Sequence, residues 1–207
     1  MSIAEGMFSE TCLIGITKLG GSEIQFGAMV ETVDIDQGDK DVEQKVVLSG
    51  GRLIKKIPQG ITTITFEGYP IGIDSSTSPA KGISQWFHGQ TTYDTTEALE
   101  VSSTRIKELF RIAILFTDDT SATTASGDTA SGSIGYRWMC ANAYLTSCKP
   151  SFTDGELKFT FMFKVAPFNK QGTAQLKEQS TEGTTAIDTL NSYTTTNFPT
   201  DGTSFTW

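Results

Sequence analysis

The sequence is poor in the residues that build metal sites and membrane spans. Its 207 residues include one histidine, His88, and three cysteines. One imidazole is too few for an all-histidine zinc site. Cys12, Cys140 and Cys148 are an odd set without CxxC spacing, so we predict buried, reduced thiols and no metal. The longest apolar run, "IAILF" (112–116), is far shorter than the ~20 residues of a membrane span, and we expect no membrane association.

Positive charge is also scarce. Lysine and arginine total 16 against 24 aspartate and glutamate residues, which gives a formal net charge of −8. Proteins that grip nucleic acid concentrate positive charge, so this balance argues against tight phosphate binding. It does not argue against a protein that lets nucleic acid pass. The start, "MSIAEGMFSETC", lacks the basic and apolar regions of a signal peptide, and we expect the chain to be made in the cytoplasm.

The usual catalytic patterns are missing. Neither "IGYRWMC" nor "GGRLIKK" has the spacing of a phosphate-binding loop, and no GxSxG or GxGxxG pattern occurs. The histidine lies next to Trp86 and Phe87, where a structural role is the simpler interpretation. We therefore predict a protein that is not an enzyme, with no catalytic residues and no cofactor.

Alternating apolar and polar residues predict strands along most of the chain. In "GELKFTFMFKV" (155–165) the apolar residues Leu157 to Val165 occupy every second position, which is typical of a half-buried strand. The preceding "YRWMCANAYLTSCK" (136–149) reads as its hairpin partner. Further predicted strands are "CLIGITKL", "SEIQFGAMVETVDID", "VEQKVVLS", "GRLIKKI", "GITTITFEGYPIGI" and "ELFRIAILFTDD". A turn is predicted at Gly50-Gly51, between two of them. The predicted class is all-β.

One short helix is predicted over "SPAKGISQWFHG" (78–89). Ile83, Trp86 and Phe87 recur at helical spacing, and Gly89 is a natural stop. Such an aromatic helix is expected to pack over an open face or end of the sheets.

Two segments contain few core residues. "TSATTASGDTASGS" (120–133) has no large apolar side chain and is predicted to be a flexible surface excursion. The chain after about Phe168 is rich in threonine, glutamine, glycine and serine. We therefore predict a β domain over residues 1–168 and an extended, Thr-rich tail over 169–207.

Six carboxylates crowd the stretch "VETVDIDQGDKDVEQKVV" (30–47), which we interpret as a long β-hairpin with a charged tip. They are Glu31, Asp34, Asp36, Asp39, Asp41 and Glu43. An EF-hand counted from Asp34 has glycine at its fifth position, aspartate at its sixth and lysine at its twelfth, so the calcium pattern fails. A looser cation site, or a solvated tip without a ligand, stays open. The densest basic cluster follows in "RLIKKI", with Arg52, Lys55 and Lys56.

The element order and three segments resemble the tail tube proteins of tailed bacterial and archaeal viruses, which share a fold with the inner tubes of contractile injection systems. The segments are the charged hairpin "DIDQGDKD", the aromatic helix "GISQWFHG" and the late strand pair "ANAYLTSCKPSFTDGELKFTFMFKV". The resemblance spans about residues 10–168 and implies a β-sandwich or split barrel.

The resemblance implies that the chain self-assembles into stacked hexameric rings that form a hollow tail tube. The implied partners are further copies, tape-measure, terminator and baseplate proteins, and viral DNA that passes through the lumen without specific binding. The implied location is the virion tail, assembled in the host cytoplasm. The acidic loop is then expected either to line the lumen or to meet the basic cluster of a neighbouring ring.

Two other functions remain open. One is the inner tube of a contractile injection system, which differs in its cargo. The other is a β-sandwich module that binds carbohydrate or protein, in which Trp86, Trp138 and Tyr136 stack on sugar rings.

Overall fold

The computed structural model describes residues 11–18, 23–25, 30–56, 58–68, 87, 109–169, 172 and 174–181. Within them the chain forms ten β-strands, which confirms the all-β class. The strands are β1 (Thr11–Lys18), β2 (Glu23–Gln25), β3 (Val30–Asp36), β4 (Val42–Val46), β5 (Arg52–Lys56), β6 (Thr62–Gly68), β7 (Phe110–Thr117), β8 (Gly135–Thr153), β9 (Glu156–Val165) and β10 (Leu176–Thr181). Among these residues, no helix is long and apolar enough to span a membrane.

Eight of the strands form one antiparallel sheet in the order β2-β1-β7-β8-β9-β6-β3, and β10 also pairs with β8. The remaining two, β4 and β5, form a separate hairpin. The long strand β8 joins two halves of the sheet. Its first part pairs with β7 and β10, and its second part pairs with β9. Asn142 sits between the two parts with φ 59°, a left-handed conformation that asparagine tolerates better than most residues.

The two halves of the sheet enclose one apolar core. It contains isoleucines of β1, β6 and β7, phenylalanines of β6, β7 and β9, and Trp138 of β8. The predicted alternation of β9 is confirmed, because Phe161, Phe163 and Val165 are buried. The rings of Phe66 and Phe163 stack 6.0 Å apart across the β6–β9 pairing. The period-2 pattern of β9 therefore directs one row of its side chains into the core.

The segment from 118 to 134 is folded against the sheet, and the prediction of a flexible excursion is wrong. Ala125 is fully buried in a second apolar cluster with Leu13, Leu115 and Met139, on the face of the sheet opposite the main core. Residues 120–133 have no large apolar side chain, and the small side chain of Ala125 packs against the sheet. Arg137, also buried, donates to the carbonyl oxygen of Gly127.

The chain joins the sheet again after residue 168, through a strand that the sequence analysis did not identify. Strand β10 pairs with the first part of β8, from Leu176 opposite Cys140 to Thr181 opposite Gly135. The Gln175 carbonyl accepts a hydrogen bond from the Ala141 amide at 2.9 Å, just before the strand begins.

None of the three cysteines takes part in a disulfide in the described structure. Only Cys140 is fully buried, whereas Cys12 and Cys148 are half-buried. Burial raises the pKa of the Cys12 thiol to about 11, so this side chain stays protonated at neutral pH.

Candidate assembly surface

The β4–β5 hairpin, which we call the arm, is exposed on both of its faces. Every residue of both strands is exposed, so neither face packs against the larger sheet. Four of its apolar side chains are among the most exposed in the described residues: Val42, Val46, Leu53 and Ile54 are 59%, 73%, 61% and 65% exposed. Isolated two-stranded hairpins are marginally stable in water, and exposed apolar patches commonly mark interaction sites.

Cross-strand pairing divides the arm into two chemically different faces. The pairs Val42–Lys56, Gln44–Ile54 and Val46–Arg52 lie on one face, because side chains opposite each other in a hairpin point to the same side. This face, the apolar arm face, carries two cations and no carboxylate. The other face carries the pairs Glu43–Lys55 and Lys45–Leu53. There Lys55 Nζ lies 4.0 Å from Glu43 Oε2, an exposed ion pair of small energetic weight.

A tight joint fixes the base of the arm. Gly38 has φ 70°, and a Cβ added there would lie 3.0 Å from the backbone of Gly60 and Ile61. Only glycine adopts that φ without strain and also permits this approach. The Gly60 amide donates to the Asp39 carbonyl at 3.0 Å, and the Thr62 hydroxyl donates to the Gln37 carbonyl at 3.1 Å. The two ends of the arm are therefore tied together where they leave the sheet.

The predicted acidic loop forms this joint, so the interpretation of a charged hairpin tip is wrong. The tip of the arm is the turn Leu48–Gly51, in which the Gly50 amide donates to the Val47 carbonyl at 2.8 Å. "DIDQGDKD" lies at the other end, because the turn at Gly38 redirects the chain from β3 into the arm. The turn predicted at Gly50-Gly51 is confirmed.

The six predicted carboxylates are distributed over three places. Asp34 and Asp36 lie on the solvent face of β3, and the Asp36 carboxylate accepts the Gly38 amide at 3.0 Å. Asp39 and Asp41 belong to the joint and are exposed. Glu43 lies on the arm. Of Glu31, which is part of β3, the structure describes the backbone alone. Within the described chain, no three histidine, cysteine, aspartate or glutamate side chains are grouped in a way that could hold a metal ion.

The predicted basic cluster is divided by the same pairing. Arg52 and Lys56 lie on the apolar arm face, whereas Lys55 lies on the other face with Glu43. Adjacent residues of a strand point to opposite sides, so Lys55 and Lys56 point to opposite faces of the arm.

Of the predicted helix residues, Ile83 and Trp86 lie outside the described residues. Phe87 is half-buried and packs against the main core. Trp138 is 1% exposed. Tyr136 is half-buried, with its ring centroid 6.2 Å from that of Phe116.

A second exposed apolar feature escaped the sequence analysis. The β8–β9 hairpin extends beyond the neighbouring strand β6 and ends in a two-residue turn, Asp154-Gly155, with φ 54° and 84°. Both values are positive, as a type I′ turn requires. Phe152 and Leu157 lie opposite each other beside this turn and are 73% and 42% exposed. We call these two residues the tip pair. Alternation had assigned Leu157 to the core, but the core ends before the strand does.

No protein-family model and no curated protein sequence matches the chain. Its fold is similar to that of the tube-terminating cap of the anti-feeding prophage, with a TM-score of 0.51, 11% identity and coverage of 87% of this chain and 95% of the cap chain. A sheath/tube terminator of an extracellular contractile injection system gives a TM-score of 0.47 at 14% identity, covering 86% of this chain and 99% of that chain. Hcp1 from Flavobacterium johnsoniae gives 0.33 at 15% identity, covering 85% and 98%.

The fold comparison rests on the cap, because the other two scores are below 0.5. The chain therefore has a fold similar to that of this tube-terminating cap. None of these three descriptions names a major tail protein of a tailed virus.

Proposed function

We propose that this chain is a non-catalytic, ring-forming component of a hollow tube in an injection-type particle. The observation that carries the proposal is the arm, a hairpin that exposes apolar side chains on both faces. Such a hairpin gains stability when a partner covers it. The fold that bears it is also the fold of a tube-terminating cap. Another copy of the chain is the partner that a repeating tube supplies.

Two settings fit a tube component and differ in cargo. One is the tail of a virus, in which DNA passes through the lumen. The other is a contractile injection particle, in which proteins are delivered. Similarity to the anti-feeding prophage cap favours the second setting. In either setting the expected partners are further tube rings and the terminator and baseplate proteins of the same particle.

The charged residues receive separate roles in this proposal. Asp34 and Asp36 lie on the solvent face of β3, the last strand of the described sheet order, and we assign them to the wall of the lumen. An acidic wall repels phosphates and so does not arrest a passing duplex. Arg52 and Lys56 lie on the apolar arm face, and we assign them to the contact with a neighbouring copy.

The carbohydrate-binding alternative is disfavoured by the burial of Trp138. A side chain that is 1% exposed cannot stack on a sugar ring, and the ring of Tyr136 already neighbours Phe116. Trp86, the third residue of that hypothesis, lies outside the described residues.

Negative-stain electron microscopy of the purified chain over a range of concentrations tests the proposal. We expect rings at low concentration and hollow tubes or stacked rings at high concentration. Sedimentation velocity on the same samples measures the mass of the species. A monodisperse monomer at every concentration would contradict a self-assembling tube component.

A further inference from the structure

Within the described part of the chain, two apolar projections leave the sheet at opposite ends. In the β6–β9 pairing, Thr62 lies opposite Val165 and Gly68 lies opposite Phe159. The arm joins the sheet at Thr62, whereas the tip pair lies beyond Phe159. Leu157 lies eight positions before Val165 in β9, which at the usual rise of a strand corresponds to about 26 Å. Both projections are exposed in the structure, so neither covers the other within one copy.

The arm and its base contain most of the exposed large apolar side chains of the described residues. Six of the nine large apolar side chains that are exposed in the described residues belong there: Val42, Val46, Leu48, Leu53, Ile54 and Ile61. Two of the other three form the tip pair. Removal of either projection from water lowers the free energy of the system. Each projection is apolar, so each is a suitable surface for the other to cover.

The tip pair continues the core-facing row of the sheet. Residues of β9 alternate, so Leu157 is on the same face as Phe159 and Phe161, whose rings stack 5.9 Å apart. The row runs from a buried phenylalanine through a half-buried one to an exposed leucine. The core is therefore open at this end, and its apolar row is available to a partner.

The charges of the two surfaces are also compatible. The apolar arm face carries Arg52 and Lys56, for which the described residues show no ion pair. Asp154, in the turn beside the tip pair, is exposed and carries a carboxylate. The nearby Glu156 is already 4.0 Å from Lys158. A contact between the arm face and the tip pair brings cations next to Asp154 without placing two like charges together.

From these observations we propose that the apolar arm face of one copy docks on the tip pair of the next copy, in a head-to-tail contact. This inference rests on the proposed tube function and assigns the contact that stacks successive copies. A contact between two different surfaces is heterologous and repeats without limit unless geometry closes it. Because the surfaces lie at opposite ends of the sheet, repetition extends the assembly along the strand direction of that half of the sheet.

Two variants with matched controls test the contact. Ile54→Asp places a carboxylate on the apolar arm face, and Leu53→Asp places one on the other face of the same strand. Phe152→Asp disrupts the tip pair, and Thr153→Asp adds the same charge on the opposite face of the same hairpin. All four side chains are exposed, so the monomer should fold in each case, which circular dichroism and thermal unfolding verify.

We expect Ile54→Asp and Phe152→Asp to raise the concentration needed for stacking by about tenfold or more, as sedimentation velocity measures it. Leu53→Asp and Thr153→Asp should assemble much as the unmodified chain does. A mixture of the two blocking variants should form a species of twice the mass of either alone, because the mixture still contains one intact arm and one intact tip pair. That species should not extend further.

The outcomes separate this inference from the proposed function. Normal stacking by both blocking variants would overturn the arm–tip contact while leaving the tube proposal intact. Equal effects of Ile54→Asp and Leu53→Asp would overturn the assignment of the arm face. A chain that never assembles, with or without substitution, would contradict both proposals.

Discussion

Asp119 shows how a single side chain can organise a long segment that has little apolar content. Its carboxylate accepts hydrogen bonds from the Ser121 hydroxyl at 2.6 Å, the Ser121 amide at 2.8 Å and the Ala130 amide at 2.6 Å. Its own amide donates to the Thr117 hydroxyl at 3.1 Å. These bonds connect the start of the 118–134 segment with its later part, and Asp119 is buried beneath it. The segment is thus fixed by polar contacts as much as by Ala125.

The hydrogen bonds of Asp119 predict a pH dependence of stability. The Ser121 hydroxyl and the Ala130 amide favour the ionised carboxylate and lower its pKa in the folded chain. A group whose pKa is lower in the folded state stabilises the fold above its unfolded pKa, about 4, and this contribution is lost as the pH falls through the folded pKa. Unfolding in urea, measured at several pH values, should show a smaller decline below pH 4 for Asp119→Asn.

Asp128→Asn is the control for this experiment, since Asp128 is an exposed residue of the same segment. It should retain the decline of the unmodified chain. At neutral pH, Asp119→Asn should also lower the free energy of unfolding by about 1 to 3 kcal/mol, because the Ser121 and Ala130 amides lose a charged acceptor. An unchanged pH profile in Asp119→Asn would show that Asp119 is not the responsible carboxylate.

At the scale of elements, the arm and β10 show how pairing decides the role of a strand. The sequence "VEQKV" of β4 has a strand pattern, but its only partner in the described residues is β5. It therefore becomes an exposed arm and not part of the core. The sequence "LKEQST" of β10 has almost no apolar alternation, yet β8 provides a partner edge for all six residues. Backbone hydrogen bonds to β8 therefore form a strand that the side-chain pattern of this segment does not predict.

Truncation of the chain tests the contribution of β10. A chain that ends at Gln175 leaves the backbone of Gly135–Cys140 without this partner, whereas a chain that ends at Thr181 retains every pair. Net contributions of about 0.5 to 1.5 kcal/mol per hydrogen bond predict a loss of at least about 2 kcal/mol for the shorter chain. Urea unfolding of the two chains measures the difference. Equal stability would show that β10 adds nothing to the fold.

At the scale of the whole molecule, the net negative charge and its position determine how the protein acts on a polyanion. The chain has a net charge of −8, and the solvent face of β3 carries Asp34 and Asp36. In the proposed tube this face lines the lumen. Long-range repulsion then acts on any polyanion inside, with a strength that decreases as salt is added.

A charge reversal on β3 tests which face lines the lumen. Thr32→Lys/Asp34→Lys adds three positive charges to the solvent face of β3, and we expect assembled tubes to retain short duplex DNA at low salt and release it as salt rises. Thr123→Lys/Asp128→Lys makes the same charge change on the exposed side of the 118–134 segment. Co-sedimentation of DNA with the tubes measures retention. Equal retention by both variants would contradict the lumen assignment.

The sequence by itself determined the class and most of the strands, because alternation is a local property of a half-buried strand. "GELKFTFMFKV" and "RIAILF" predict β9 and β7 from their own side chains, and Gly50-Gly51 predicts the turn of the arm. The sequence also shows where the acidic and basic residues lie along the chain. It does not show which of them share a face, since the faces of Lys55 and Lys56 depend on the register with β4.

Only the tertiary structure decided which strands are covered, and the reason is that burial depends on partners distant in the sequence. Leu157 has the pattern of a core residue but lies beyond the end of β6, so it is exposed in the tip pair. Ala125 has the pattern of a flexible loop but lies against Leu115 and Met139, so it is buried. Alternation specifies that a strand has an apolar face, and the length and register of its neighbours specify how much of that face is left for another molecule.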